Sequence, residues 1–222
     1  MRLINNLTAY SLTSLGQVVK LALLLSWFFV ILLPVFRQEF QLTERASEPS
    51  SRGLVYILTG DGKGKTSAAT GVVLRALGHG MRVHITYFMK GDYPYGERAT
   101  LSKLPDVTMA GFGTPGFVDP ANIKPEEKEQ ARLALATARE AMLSGNYDLV
   151  VLDEVNIAAA WKLVELDEVI KLIEDKPQNV ELILTGRQAD TKLVQMADLV
   201  TEMLKIKHPY DEGVRARKGI DY

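Results

Sequence analysis

From Gly53 onward the chain alternates short apolar runs with longer segments of helical periodicity. Residues 54–58, 83–88, 107–112, 148–152, 180–184 and 199–206 read as strands, because each is a brief, mostly apolar run. Residues 65–77, 125–143 and 166–174 carry the helical pattern. In the second of these, Ala131, Leu135, Ala138 and Met142 fall on one stripe, and Glu126 and Glu127 open the helix as its dipole prefers. Strands that are apolar without alternation are buried on both faces, which suits a parallel sheet covered by helices. Strand following helix in this rhythm predicts an α/β domain over residues 53–222.

Residues 1–52 break the rhythm. The run from Leu21 to Phe36 is apolar and uncharged, bounded by Lys20 and Arg37. It is a little short of the ~20 residues a spanning helix requires, and extending it back to Val18 means accepting Lys20. Three readings stay open: a single membrane anchor, an amphipathic or partner-docking helix, and an extension from an upstream start that the cell does not use. Gln38 to Arg52 is polar, with Ser, Glu and Pro, and reads as a linker. The domain that follows the linker is expected in the cytosol, tethered or free.

Composition narrows the chemistry. In 222 residues, 26 Lys and Arg stand against 27 Asp and Glu, so there is no overall electrostatic case for nucleic acid. There is no cysteine, which excludes disulfides, thiolate metal sites and a Cys nucleophile. The histidines, His79, His84 and His208, show no metal-ligand spacing.

The strongest local signal is Thr59-Gly60-Asp61-Gly62-Lys63-Gly64-Lys65-Thr66, placed between an apolar strand and an alanine-rich helix. Glycines let backbone N–H groups turn toward a phosphate chain, and the helix N-terminus adds partial positive charge. Lys65 would reach phosphate oxygens, and the Thr66 hydroxyl would hold Mg²⁺. The loop is short against G-x-x-x-x-G-K-[ST]: three residues separate Gly60 from Gly64, and Thr59 holds the place of the usual first glycine. A second signal is the run of residues 149–152 ending in Asp153-Glu154, a buried strand that delivers carboxylates to its C-terminal edge. In phosphate-loop proteins the Mg²⁺-associated acid sits at this edge. A third is Arg187, just past the strand at 180–184, placed to meet a phosphate or a developing charge. The fold class read from these features is α/β, P-loop NTPase-like (RecA-like), with a mostly parallel sheet flanked by helices. They imply a Mg²⁺–nucleoside triphosphate site and leave open which bond of ATP breaks.

Further motifs occur in order: Gly78-His79-Gly80, Lys90-Gly91 to Gly96-Glu97-Arg98, Leu152-Asp153-Glu154, Leu184-Thr185-Gly186-Arg187, Ala197 to Met203, and Lys207-His208-Pro209 to Gly219-Ile220-Asp221-Tyr222. Together with the loop they resemble the phosphate-loop ATP:corrinoid adenosyltransferase family (CobA/CobO/BtuR type) over about residues 53–222, and the short loop is the form this family resembles. The resemblance implies transfer of the 5′-deoxyadenosyl group of ATP to Co(I) of a corrinoid, with release of triphosphate. It implies ATP and corrinoid as substrates, Mg²⁺, a reduced flavoprotein donor and a homodimer. It assigns Lys65, Arg187 and Glu154 to catalysis, and Thr66, Glu154 and Asp153 to the metal. Gly60, Asp61, Gly62, Lys63, Gly64, Lys65, Thr66, Ser67, Arg75 and Arg187 would meet the nucleotide, and Phe112 the corrinoid. A tryptophan found soon after Phe112 in some relatives is absent, and Phe117 is the residue expected in its place. A generic phosphate-loop ATPase or kinase and an ATP-gated binding module are the alternatives.

Overall fold

The computed structural model describes residues 52–222, so the apolar segment at 18–36 and the linker after it lie outside the described residues. No helix among the described residues is long and apolar enough to cross a membrane. The chain runs β1 (Val55–Thr59), α1 (Lys65–Gly78), β2 (Val83–Tyr87), α2 (Gly96–Leu101), β3 (Val107–Gly111) and α3 (Pro125–Leu143). It continues through β4 (Leu149–Asp153), α4 (Val155–Ala160), α5 (Leu166–Glu174), β5 (Glu181–Thr185), α6 (Thr191–Met196) and β6 (Leu199–Glu202), and ends with a 3₁₀ turn at Pro209–Glu212.

All strand pairs are parallel, in the order β3-β2-β4-β5-β1-β6. The loop-bearing β1 and the acid-bearing β4 both border β5, the RecA-like arrangement. Every residue of β2 and β4 is buried, as expected for strands covered on both faces. Alternation within the apolar runs divides the core in two. Val150, Leu152, Leu182 and Leu184 face one cluster, which takes in Ala131, Leu135, Ala138 and Met142 of α3 together with Val169 and Leu172 of α5. Leu149, Val151 and Ile183 face the other, closed by Ala69, Val73 and Ala76 of α1. The predicted α3 stripe is thus core.

Three expectations are corrected. The last strand ends at Glu202 instead of 206, because its partner β1 stops at Thr59, where the glycine loop begins. The final ladder contact is Met203 N–H donating to the Thr59 carbonyl, 2.9 Å. Gly96 and Glu97, which fall between the predicted strands at 83–88 and 107–112 where no helix is expected, open α2. Two more short helices, α4 and α6, were not predicted. Each of these three helices has six residues, too few for periodicity to show.

Candidate active site

The glycine loop connects β1 to α1 at the C-terminal edge of the sheet, where ligands of open α/β sheets bind. Two glycines have steric reasons to be there. Gly64, immediately before α1, has φ +120°, in the left-handed region. A Cβ on Gly62 would lie 2.6 Å from the Leu204 carbonyl, because the segment after β6 packs against the loop. Gly62 N–H donates to the Met203 carbonyl at 2.6 Å, fixing that contact.

Lys65 is buried and curls under the loop, donating from Nζ to the carbonyls of Gly60 and Gly62, both at 2.7 Å. Burial lowers its pKa, Glu154 opposes that shift, and Arg187 adds to it. Arg187 lines the same space and pairs with Asp61 across the loop, 3.1 Å. Asp61 itself is exposed, and Gly60 contributes its carbonyl to Lys65. Ser67 lies in the lining, half a turn into α1. Arg75, in the last turn of α1, is exposed and does not join the lining. Lys63 is paired with Asp221 near the C-terminus and also donates to the Ile220 carbonyl at 3.3 Å.

Strand β4 supplies the acids. Asp153 is 1% exposed. Its Oδ1 accepts from the Thr66 hydroxyl at 3.0 Å and from the Thr185 hydroxyl at 2.7 Å. Thr185 Oγ1 in turn accepts from the Glu154 N–H at 3.0 Å. Glu154 leaves the strand with φ +71°, a conformation that costs a non-glycine residue and recurs at functional sites. Burial raises its pKa and neighbouring Asp153 raises it further. The structure thus brings Thr66, Asp153 and Glu154 together at one edge of the sheet.

It did not single out Lys90 or Thr185. Lys90, three residues past β2, forms an ion pair with Asp153 Oδ2, donates to Thr66 Oγ1 at 3.2 Å and lies 4.0 Å from Glu154 Oε1. Burial works against its charge, but Asp153 and Glu154 outweigh it and raise its pKa. Its place after a strand, in a Gly-Tyr-Pro loop, was all that the sequence offered, since the acids meet it only because β2 lies beside β4. For Thr185 it was the strand end beside Arg187.

The cluster fits a hard divalent ion. Carboxylate and hydroxyl oxygens converge, the donors Mg²⁺ prefers. No group of three or more His, Cys, Asp or Glu side chains able to hold a metal occurs among the described residues. A few protein oxygens completed by phosphate oxygens is the usual Mg²⁺ arrangement at nucleotide sites.

The loop, Lys65, Glu154 and Arg187 line a cavity of about 590 Å³. The C-terminal segment forms part of its wall through His208, Gly219 and Asp221. A second cavity of about 630 Å³ adjoins it, lined by Met89, Tyr93, Pro115 and Phe117 among others. Lys90, Tyr95, Asp221 and Tyr222 line both. Phe117 is fully exposed at the second cavity, whereas Phe112 packs against the larger core cluster and lines neither. Arg98 braces the loop between them: its guanidinium lies 4.0 Å from the Tyr87 ring centre and donates to the Gly91 carbonyl at 2.6 Å.

Comparison with known proteins agrees with this geometry. The model of the family described as ATP:corrinoid adenosyltransferase BtuR/CobO/CobP matches residues 51–222. Over 177 residues the chain is 36% identical to a corrinoid adenosyltransferase of Pseudomonas aeruginosa, covering 80% of this chain and 87% of the relative. It is 34% identical over 177 residues to a corrinoid adenosyltransferase of Escherichia coli K12, covering 80% and 89%. The corrinoid adenosyltransferase CobA of Salmonella typhimurium gives the same 34% over 177 residues, with the same shares. The loop, the acid pair, the arginine and the C-terminal wall described above all fall within the matched residues, and the chain belongs to the ATP:corrinoid adenosyltransferase family.

Proposed function

We propose that this protein transfers the 5′-deoxyadenosyl group of ATP to the reduced cobalt of a corrinoid and releases inorganic triphosphate. The observation that carries this reading is the pair of adjoining cavities. One is a phosphate cradle with Lys65 and Arg187, the other is walled by aromatic and apolar side chains, and they share Lys90, Tyr95, Asp221 and Tyr222. A triphosphate in the first and a flat, largely apolar macrocycle in the second would bring ribose and cobalt together.

The chemistry balances without a general base. Co(I) supplies both electrons of the new cobalt–carbon bond and becomes Co(III). The bond between C5′ and the α-phosphate oxygen breaks, and its electron pair leaves with the triphosphate. No proton need move. The demand on the protein is to stabilise the charge growing on the leaving group. Lys65 and Arg187 are placed for it, with Lys63 once it leaves Asp221. The backbone N–H groups around Gly62 to Thr66 add their dipoles. Thr66 and Glu154 would hold Mg²⁺, with Asp153 beside them, and the ion would add positive charge at the phosphates. Ser67 would contact the nucleotide as well. Phe117 is the better placed aromatic for the corrinoid, and Phe112 supports its loop from the core.

Co(I) is strongly reducing, so a reduced flavoprotein donor fits as the partner class. A homodimer and a cytosolic catalytic domain complete the reading. Anaerobic incubation with ATP, Mg²⁺ and chemically reduced cobalamin tests it. The absorbance of a cobalt–carbon bond should develop in proportion to enzyme. ATP binding without that change supports a binding module, and phosphate release without corrinoid supports an ATPase.

A further inference from the structure

Lys90 has no role in the reaction as set out above, yet it occupies the centre of the acid cluster. Its side chain is 11% exposed, and its ammonium meets Asp153, Thr66 and Glu154 at once. The Tyr95 and Tyr87 ring centres lie 5.0 and 5.9 Å away. These oxygens are the ones assigned to the metal. A buried carboxylate such as Asp153, with the half-buried Glu154 beside it, needs a cation, and here a lysine supplies it. A divalent ion on the same oxygens would repel the ammonium at close range in a poorly solvated site. The two cannot both stay.

We propose that Lys90 is an exchangeable internal cation: it neutralises Asp153 and Glu154 before the metal arrives and must leave them for the metal to bind. The inference rests on the metal assignment made under the proposed function. It makes metal capture conditional on the nucleotide. A bare divalent ion has to expel Lys90 with no new partner for it. When the metal arrives with a triphosphate, the expelled ammonium gains phosphate oxygens. Its flexible four-carbon stem suits such a swing, and Lys90 already lines the phosphate cavity. It is a positioning residue that gates the metal.

The test is Mn²⁺ binding to the whole protein, read from the electron paramagnetic resonance signal of free Mn²⁺, without and with ATP. Lys90→Met and Lys90→Gln should each bind Mn²⁺ alone about tenfold more tightly than wild type, within the usual range of coupling between two ligands. The extra Mn²⁺ affinity that ATP confers on wild type should shrink by the same factor. In metal-free buffer both variants should melt below wild type and regain more from Mn²⁺ than wild type does. Unchanged or weaker Mn²⁺ binding in the variants overturns the proposal.

A measurement on wild type avoids any dependence on variant folding. Reductive methylation of Lys90, followed by mass spectrometry, should be slow without metal and faster with saturating Mn²⁺. Equal rates count against exchange. Glu154→Gln separates the two layers of the argument. It should bind Mn²⁺ more weakly than wild type; if it does not, the metal assignment fails and the Lys90 proposal with it. A Mn²⁺ loss in Glu154→Gln together with no gain in the Lys90 variants leaves the metal assignment standing and rejects the lysine's role.

Discussion

Asp153 is the residue on which the site turns. It is buried, and its carboxylate accepts from two hydroxyls and a lysine. Thr185 matters more than its modest chemistry suggests. It donates to Asp153 and accepts from the Glu154 N–H, so it sets both acids in place. Thr185→Val keeps the shape and removes both bonds. It should cost about 1–3 kcal/mol in denaturant unfolding, because buried polar partners are left unmade. It should also weaken Mn²⁺ binding about 10–100-fold, as loss of a ligand's supporting bond does. Unchanged metal affinity would show that Thr185 is structural only. Lys65 makes a separate case. Its ammonium is held by loop carbonyls alone, and Lys65→Ala should leave the sheet intact while lowering turnover at least about 10²-fold. Circular dichroism and the adenosylation rate check the two halves of that statement.

At the scale of elements, the sheet depends on the starts of its strands as well as on its apolar runs. Asp148, just before β4, takes a forked contact from Arg82, just before β2: Nη2 to Oδ1 at 2.8 Å and Nε to Oδ2 at 3.1 Å. The Arg82 N–H adds a bond to Oδ2 at 2.8 Å. Hydrogen bonding from Arg82 holds the Asp148 carboxyl below its ordinary 3.8. A depressed acid contributes stability above its unfolded pKa and loses it as the pH falls through the lower folded value. Asp148→Asn should therefore be slightly less stable than wild type near neutral pH. The difference should close as the pH drops below 3.8, measured by urea unfolding across that window. Both side chains are partly exposed, so the effect is small. A difference that persists at the acid end would assign the loss to the amide itself.

The long elements were legible in the sequence because burial on two faces writes unbroken apolar runs, as in β4, and burial on one face writes a stripe, as in α3. The helices of six residues were not, since they span under two turns. An N-cap could have revealed α6, where Asp190 accepts from the Lys192 N–H at 2.8 Å. The overlong β6 shows the opposite failure. Its residues past 202 keep an apolar character, but a strand needs a neighbour, and β1 has by then become the phosphate loop. Asp153, Glu154 and Arg187 were readable because each ends or closely follows a strand, and Thr66 because it opens the helix after the glycine loop. Lys90 was not, because its role comes from which strands are neighbours, β2 beside β4, and that order is written in no single segment.

For the whole molecule, the C-terminal segment joins the two cavities. Asp221 pairs with Lys63 of the phosphate loop and also accepts from Arg217, through its N–H at 2.7 Å and its Nε at 3.1 Å. The Tyr222 ring meets Tyr93, whose loop walls the second cavity, with centres 5.4 Å apart. Asp221→Ala should loosen this wall, so trypsin should cut at Arg215, Arg217 and Lys218 faster than in wild type. Equal cleavage rates would show that the Lys63 pair does not hold the segment. The phosphate loop is short by one residue against the common pattern, and the proposed reaction removes all three phosphates together. The inorganic product is therefore the most direct test of the central claim. Phosphorus NMR of an anaerobic reaction with ATP, Mg²⁺ and reduced cobalamin should show triphosphate formed in step with adenosylcobalamin. Orthophosphate and ADP, formed whether or not cobalamin is present, would contradict it.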